Sequence, residues 1–232
     1  KVATVPVSEP QPYRLLVPNI PTTSGAIKIQ QVNDPDNLVF SRTDNDAPFR
    51  VRGDVSNVQV YNTPWKVNGN NNRITWDRTG AIASVNINLD TSSGTGGYGI
   101  IVAAGAPNGG EYVWSIPVLD YATVTSDNCR LRIRDAGDPT VEAVTTSDFA
   151  IKPVLWLTHP ESATDTWEYN TSHDITWDYY GTVGNVKLQF SDDNGVSWPE
   201  TAPYLIIAST GASGKSYSWS VPDKMSSQCF MR

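Results

Sequence analysis

Three sets of side chains have types and spacings suited to chemistry. Asp34, Asp36, Asp44 and Asp46 place carboxylates at alternating positions around the segment Thr43–Phe49, TDNDAPF. Carboxylate and amide oxygens so spaced could ligate calcium, a hard cation that takes six to eight oxygens. The segment one hundred residues later, Thr145–Phe149, keeps only Asp148, which suits an ordinary polar linker. The second set is aromatic: Trp198, Tyr98, Tyr179 and Tyr180 sit in or beside turns, where a ring could stack on a sugar. The third is Arg130, Arg132 and Arg134, which a spacing of two puts on one face of one strand. That face reads as a solvated strand surface or as a patch for an anionic partner.

Other chemistries find no support. His159 and His173 are the two histidines, and neither has a Cys or a second His at metal-ligand spacing. No nucleophile–base constellation stands out, and no two carboxylates can be paired for glycoside hydrolysis, which needs a defined separation. No catalytic residue and no obligatory cofactor is therefore expected, calcium being the one candidate. The net charge of −7 opposes a nucleic-acid backbone as partner. No apolar run approaches the ~18 residues of a membrane span. Cys129 and Cys229 occupy equivalent places in successive repeats, so both are expected to be unpaired and buried. Asn170-Thr171-Ser172 is an N-glycosylation triplet of low specificity.

The elements that must position these residues are strands. Short apolar runs rich in Val, Ile, Thr, Tyr and Trp alternate with turn signals such as Asn68-Gly69-Asn70 and Asn108-Gly109-Gly110. The runs repeat. Asn72–Asp90 matches His173–Ser191, Gly109–Pro117 matches Gly214–Pro222, and Asn128–Arg132 matches Gln228–Arg232, always about 100 residues apart. Trp65, Trp76 and Trp114 recur as Trp167, Trp177 and Trp219. A Trp repeated in register reads first as core. Tyr13–Pro18 and Ile27–Pro35 line up with Tyr112–Pro117 and Leu131–Pro139. The pattern predicts an all-β chain of tandem immunoglobulin/fibronectin-like antiparallel β-sandwiches. Residues 1–48 would be the C-terminal part of a first repeat, 49–148 a complete one, and 149–232 a third lacking its last strand. One molecule's segment Asn33–Val51 would then be able to complete the third repeat of a second copy by strand addition.

The order ITWD, V-x-L-x-F-S-x-D-x-G-x-x-W, Y-x-W-x-V-P, C-x-x-R and S-D-x-F resembles the β-sandwich repeat shared by the N-terminal region of yeast cell-wall β-glucan synthesis proteins and many bacterial and archaeal surface proteins. The resemblance implies an extracellular or cell-surface location, tandem arrays, and no catalytic residues. Ser191–Trp198, SDDNGVSW, is similar to the Asp-box hairpin of sialidase propellers, but a repeat of 100 residues is about twice the length of a propeller blade. A turn-forming role is expected for it. TDNDAPF is similar to the interdomain linker of cadherins. The expected function is a non-catalytic structural or spacer array, able to associate with neighbouring repeats or copies of itself by strand or end-to-end contact into a layer or fibre. The alternative is an adhesin or carbohydrate-binding array on cell-wall glycan, or the accessory region of a glycan-active enzyme.

Overall fold

The computed structural model describes residues 49–161 and 165–232, with residues 14, 16, 17, 20, 22–30, 32 and 40–42 of the N-terminal stretch. The described chain is all-β apart from one helix, α1 (Tyr121–Val124), and two 3-10 turns, Val118–Asp120 and Ala212–Gly214. Among the described residues no helix is long and apolar enough to cross a membrane.

In the N-terminal stretch β1 (Thr22–Gly25) pairs with β4 (Phe49–Val51), and β2 (Lys28–Gln30) with β3 (Phe40–Arg42). The middle unit has two sheets. The first holds β5 (Asp54–Val60), β7 (Asn72–Thr79) and β10 (Glu111–Trp114), with β7 at its centre. The second draws on β6 (Trp65–Lys66), β8 (Ser84–Asp90), β9 (Ile100–Pro107), β11 (Ser126–Asp135), β12 (Glu142–Val144) and β13 (Phe149–Lys152). Its order is β6-β13-β11-β8-β9, with β12 also pairing β11. Every pairing is antiparallel except β6 with β13. The C-terminal unit repeats the plan. Strands β14 (Val154–His159), β15 (Ser172–Tyr180) and β18 (Ser216–Ser220) form one sheet. The other is β17 (Leu205–Gly211), β16 (Asn185–Ser191) and β19 (Phe230–Met231), with β16 central.

Side-chain alternation explains the layers. On β8, Val85, Ile87 and Leu89 are fully buried while Ser84, Asn86 and Asn88 point outward. Val186, Leu188 and Phe190 do the same on β16. Inward residues of both sheets meet in one core per unit. The middle core includes Val55, Ile74, Trp76, Ile87, Trp114, Leu131 and Ile151; the C-terminal core is built on Ile175, Trp177, Val186, Leu188 and Ala212. The indoles of Trp76 and Trp177 are buried with their N–H groups satisfied, one by Asn108 Oδ1 at 2.7 Å and the other by the Ala212 carbonyl at 2.9 Å. Burial of so large a ring tolerates no orphaned donor.

The pairing registers repeat too. In β2–β3, Lys28, Ile29 and Gln30 face Arg42, Ser41 and Phe40; in β11–β12, Arg132, Ile133 and Arg134 face Val144, Ala143 and Glu142. Leu131 opposite Leu89 in the middle unit corresponds to Met231 opposite Phe190 in the C-terminal one.

The equivalent positions differ in cover. Cys129 is buried and free, as expected, but Cys229 is free and exposed. Strand β13 explains the difference: Phe149 pairs with Cys129 and shields it, whereas β19 pairs only with β16 among the described residues. Trp65, fully buried, packs its edge on Phe149 with ring centres 4.8 Å apart. Its counterpart Trp167 is half-buried and stacks instead on His173, with centres 4.5 Å apart and planes 2° apart. His159 approaches the same indole at 5.4 Å, so both histidines gather on one tryptophan.

Candidate functional site

The loops that follow β8 and β16 carry two of the four sequence-predicted aromatics. After β8 the chain wraps around Asp90. Its Oδ1 accepts the N–H groups of Ser92 at 2.7 Å and Gly94 at 2.9 Å, and its Oδ2 that of Tyr98 at 3.3 Å. Burial pushes the Asp90 pKa up, but backbone donors from Ser92, Tyr98, Gly94 and Gly96 outweigh it and leave the value below the ordinary one. Gly96 is required there: a Cβ would stand 2.6 Å from Asp90 Oδ2.

After β16 two side chains divide the same task. Ser191 Oγ accepts from the N–H of Gly195 at 3.0 Å and donates to Asp193 Oδ1 at 2.6 Å. Asp193 also accepts from the N–H and hydroxyl of Ser197. These bonds to the Ser191 and Ser197 side chains and the Ser197 backbone hold its pKa at about 2. Trp198 closes the hairpin by donating its indole N–H to the Gly195 carbonyl at 2.9 Å. The SDDNGVSW motif thus builds a turn, and the divergent DTSSGTGG builds one from a single carboxylate.

Each loop delivers one aromatic ring beneath one arginine. Arg132 on β11 places its guanidinium 4.7 Å from the centre of Tyr98, and Arg232 places its own 4.5 Å from the centre of Trp198. Burial, then the neighbouring Asp90 charge, raises the Tyr98 pKa and keeps the phenol protonated. Arg232 donates to Gln189 Oε1 at 3.1 and 2.9 Å through Nε and a terminal nitrogen. Gln189 Nε2 in turn donates to the carbonyls of Trp198 and Pro199. This glutamine is 1% exposed, although strand alternation assigns it to solvent. Arg132 has no such partner; its Nε is a buried nitrogen without a hydrogen bond, 3.9 Å from Glu142.

The two outer arginines of the β11 row are paired within the fold. Arg130 pairs with Asp148 at 2.5 Å, and Asp148 also accepts from the Ser93 hydroxyl at 2.7 Å. Arg134 donates to Glu142 at 2.8 and 2.6 Å. Two of the three guanidiniums in the row are thus hydrogen-bonded to carboxylates, and Arg132 lies 3.9 Å from the same Glu142.

Tyr179 and Tyr180 lie elsewhere, at the end of β15. Tyr179 sits under Lys215, whose Nζ is 5.4 Å from the ring centre. Tyr180 packs against Tyr121 and Trp156, centres 5.2 and 4.9 Å apart. The four aromatics therefore do not converge on one surface. Each has a neighbour from this chain over or against its ring. Asp34, Asp36, Asp44 and Asp46 lie outside the described residues. Among the described residues no group of three or more His, Cys, Asp or Glu side chains could hold a metal.

Gln189, Asp90 and Arg232 are the residues sequence reading missed, along with the pairing of Arg132 to Tyr98. The signal was present: C-x-x-R recurs at Cys129–Arg132 and Cys229–Arg232, with an aromatic 34 residues before each arginine. No family model and no curated protein matches the chain.

Proposed function

We propose that the chain is a non-catalytic structural or spacer array of immunoglobulin-like β-sandwiches from a secreted or cell-surface protein. Residues 1–48, 49–148 and 149–232 would be three successive repeats. The strand order of the middle unit supports the fold assignment. A three-stranded sheet faces a larger one, and a short strand (β6) adds parallel to the last strand (β13) before the chain enters the next unit. The resemblance to the β-sandwich repeat of surface proteins points the same way.

One observation carries the functional reading. The same construction, a carboxylate- or serine-centred loop with an arginine over its aromatic ring, recurs in both units, and in each the ring face is taken by that arginine of the same unit. Its partners belong to the scaffold, as they should where the role of each unit is to be a stable block. Such blocks separate or connect other surfaces through neighbouring repeats or further copies, end to end. A glycan array with the intact chain tests this. A spacer binds no immobilised glycan. Saturable binding that Tyr98→Ala or Trp198→Ala abolishes would replace the reading with a carbohydrate-binding one.

A further inference from the structure

The segment after the proline that ends the Y-x-W-x-V-P motif or its counterpart differs in length among the repeats. Between Pro18 and Thr22 there are three residues, and between Pro222 and Ser226 again three; between Pro117 and Ser126 there are eight. The longer segment of the middle unit, 118–125, forms the 3-10 turn Val118–Asp120 and helix α1. Val124 anchors the helix in the middle core, fully buried. Tyr121, Ala122 and Thr125 reach the next unit, while Val118 and Leu119 stay exposed. The Thr182 hydroxyl donates to the Ala122 carbonyl at 3.0 Å, the Thr182 N–H approaches Thr125 Oγ1 at 3.4 Å, and Tyr121 meets Tyr180 edge-on.

The receiving surface is changed at matching positions. Ser56 and Trp156 both pair with the Asp of the WD dipeptide, Asp77 in one unit and Asp178 in the other. Thr79 and Tyr180 both end the central strand of their sheets. The C-terminal unit, which meets the insertion, thus carries Trp and Tyr where the middle unit carries Ser and Thr. Trp156 has no tryptophan counterpart in the middle unit, and its ring lies against Tyr180, 4.9 Å between centres. Gly181 completes the seat. A Cβ there would stand 2.5 Å from Thr125 Oγ1 and 3.2 Å from Pro153. Pro153 alone separates β13 from β14.

We infer that the insertion 118–125 and the Trp156–Tyr180 pair form a dedicated interaction surface that fixes the C-terminal unit against the middle one. The insertion supplies the plug, and the two aromatics and Gly181 supply the socket. Without such a surface, adjoining domains move relative to one another by default. The three residues between Pro18 and Thr22 are fewer than the seven that form the 3-10 turn and α1. The inference concerns the geometry of the chain and holds whether or not the array serves as a spacer.

The test is a distance distribution from pulsed dipolar spectroscopy, with spin labels at Gln59→Cys and Ser218→Cys in a Cys229→Ser background. The unaltered joint should give one narrow distribution. Trp156→Ser with Tyr180→Thr, which installs the middle unit's own residues on the outer sheet face, should broaden it by roughly twofold. Replacing 118–125 by the three residues found at 223–225 should do the same. Melting followed by tryptophan fluorescence establishes that both units of each variant are folded. A distribution already as broad in the unaltered joint overturns the inference, as does one that stays narrow in the folded double variant.

Discussion

The guanidinium of Arg132 stands 4.7 Å from the centre of the Tyr98 ring, and one hundred residues later Arg232 stands 4.5 Å from Trp198. Position, not residue identity, is what repeats: a phenol in one unit and an indole in the other receive the same cation. A cation over an aromatic face is attracted by the ring quadrupole, the more so when partly desolvated. The pair ties the loop after β8 or β16 to the strand carrying the C-x-x-R motif. The ring face is thereby used inside the fold.

Removing either cation should loosen its own loop. Arg132→Ala and Arg232→Ala are each expected to lower stability by about 1–2 kcal/mol, the range for a partly desolvated cation–aromatic pair. Arg232→Ala should cost more, because it also strips the acceptor Gln189 Oε1 of its donors while that side chain stays buried. Urea titrations of the two variants check the order. Equal and negligible losses would place both arginines in solvent.

Acid should weaken the C-terminal loop. Asp193 has a folded pKa of about 2 against an ordinary 3.8, so it resists protonation in the folded state. As pH falls through about 4 the unfolded chain takes up the proton first, and stability is lost between about pH 4 and pH 2. Above pH 4 the contribution is fully present. Asp90, Asp148 and Asp178 are depressed in the same direction and add to the trend. Melting temperatures from pH 5 to pH 2 should fall, and Asp193→Asn should flatten part of the fall. An unchanged slope in that variant would show that Asp193 does not contribute.

The sequence made the strands legible because their burial is periodic: Val85, Ile87 and Leu89 announce a buried face without reference to anything distant. Trp76, Trp114 and Trp177 announced cores for the same reason, whereas Trp219, expected in the core, is half-buried against it. The site was less legible. Gln189 sits at an outward position and is buried only because the loop through Trp198 and Pro199 folds over it, a tertiary event with no local signature. Cys229 was expected inside by analogy with Cys129, yet its burial depends on a neighbouring strand that pairs Cys129 alone among the described residues. Tyr180 read as a loop aromatic because its partner Tyr121 lies in the adjoining unit.

Truncating the core tryptophans should be the most damaging change. Trp76→Ala and Trp177→Ala are each expected to cost about 3–5 kcal/mol, the range for emptying a large buried aromatic site. The side chains are 4% and 3% exposed. Loss of Trp76 also orphans Asn108 Oδ1, whereas after loss of Trp177 the Ala212 carbonyl keeps the Lys215 N–H as donor. Denaturant unfolding of each variant should show the loss confined to the unit that carries the substitution. A loss below about 1 kcal/mol would be inconsistent with a core position.

Two glycines of one loop should respond in opposite ways. In Gly96→Ala the new methyl group would lie 2.6 Å from Asp90 Oδ2, and that carboxylate cannot yield because the N–H groups of Ser92, Gly94 and Tyr98 pin it. The loop must shift or surrender hydrogen bonds, at a cost of about 1–3 kcal/mol. At Gly99 a Cβ would meet nothing within 4 Å, and its φ lies outside the left-handed region. Gly99→Ala should therefore be neutral or stabilise by about 0.4–1 kcal/mol, because it narrows the conformational freedom of the unfolded chain. Thermal melts of the two variants at pH 7 read the difference directly. If Gly96→Ala melts with the unaltered protein, Asp90 is not the fixed hub of the loop, and Tyr98 is brought beneath Arg132 by some other means.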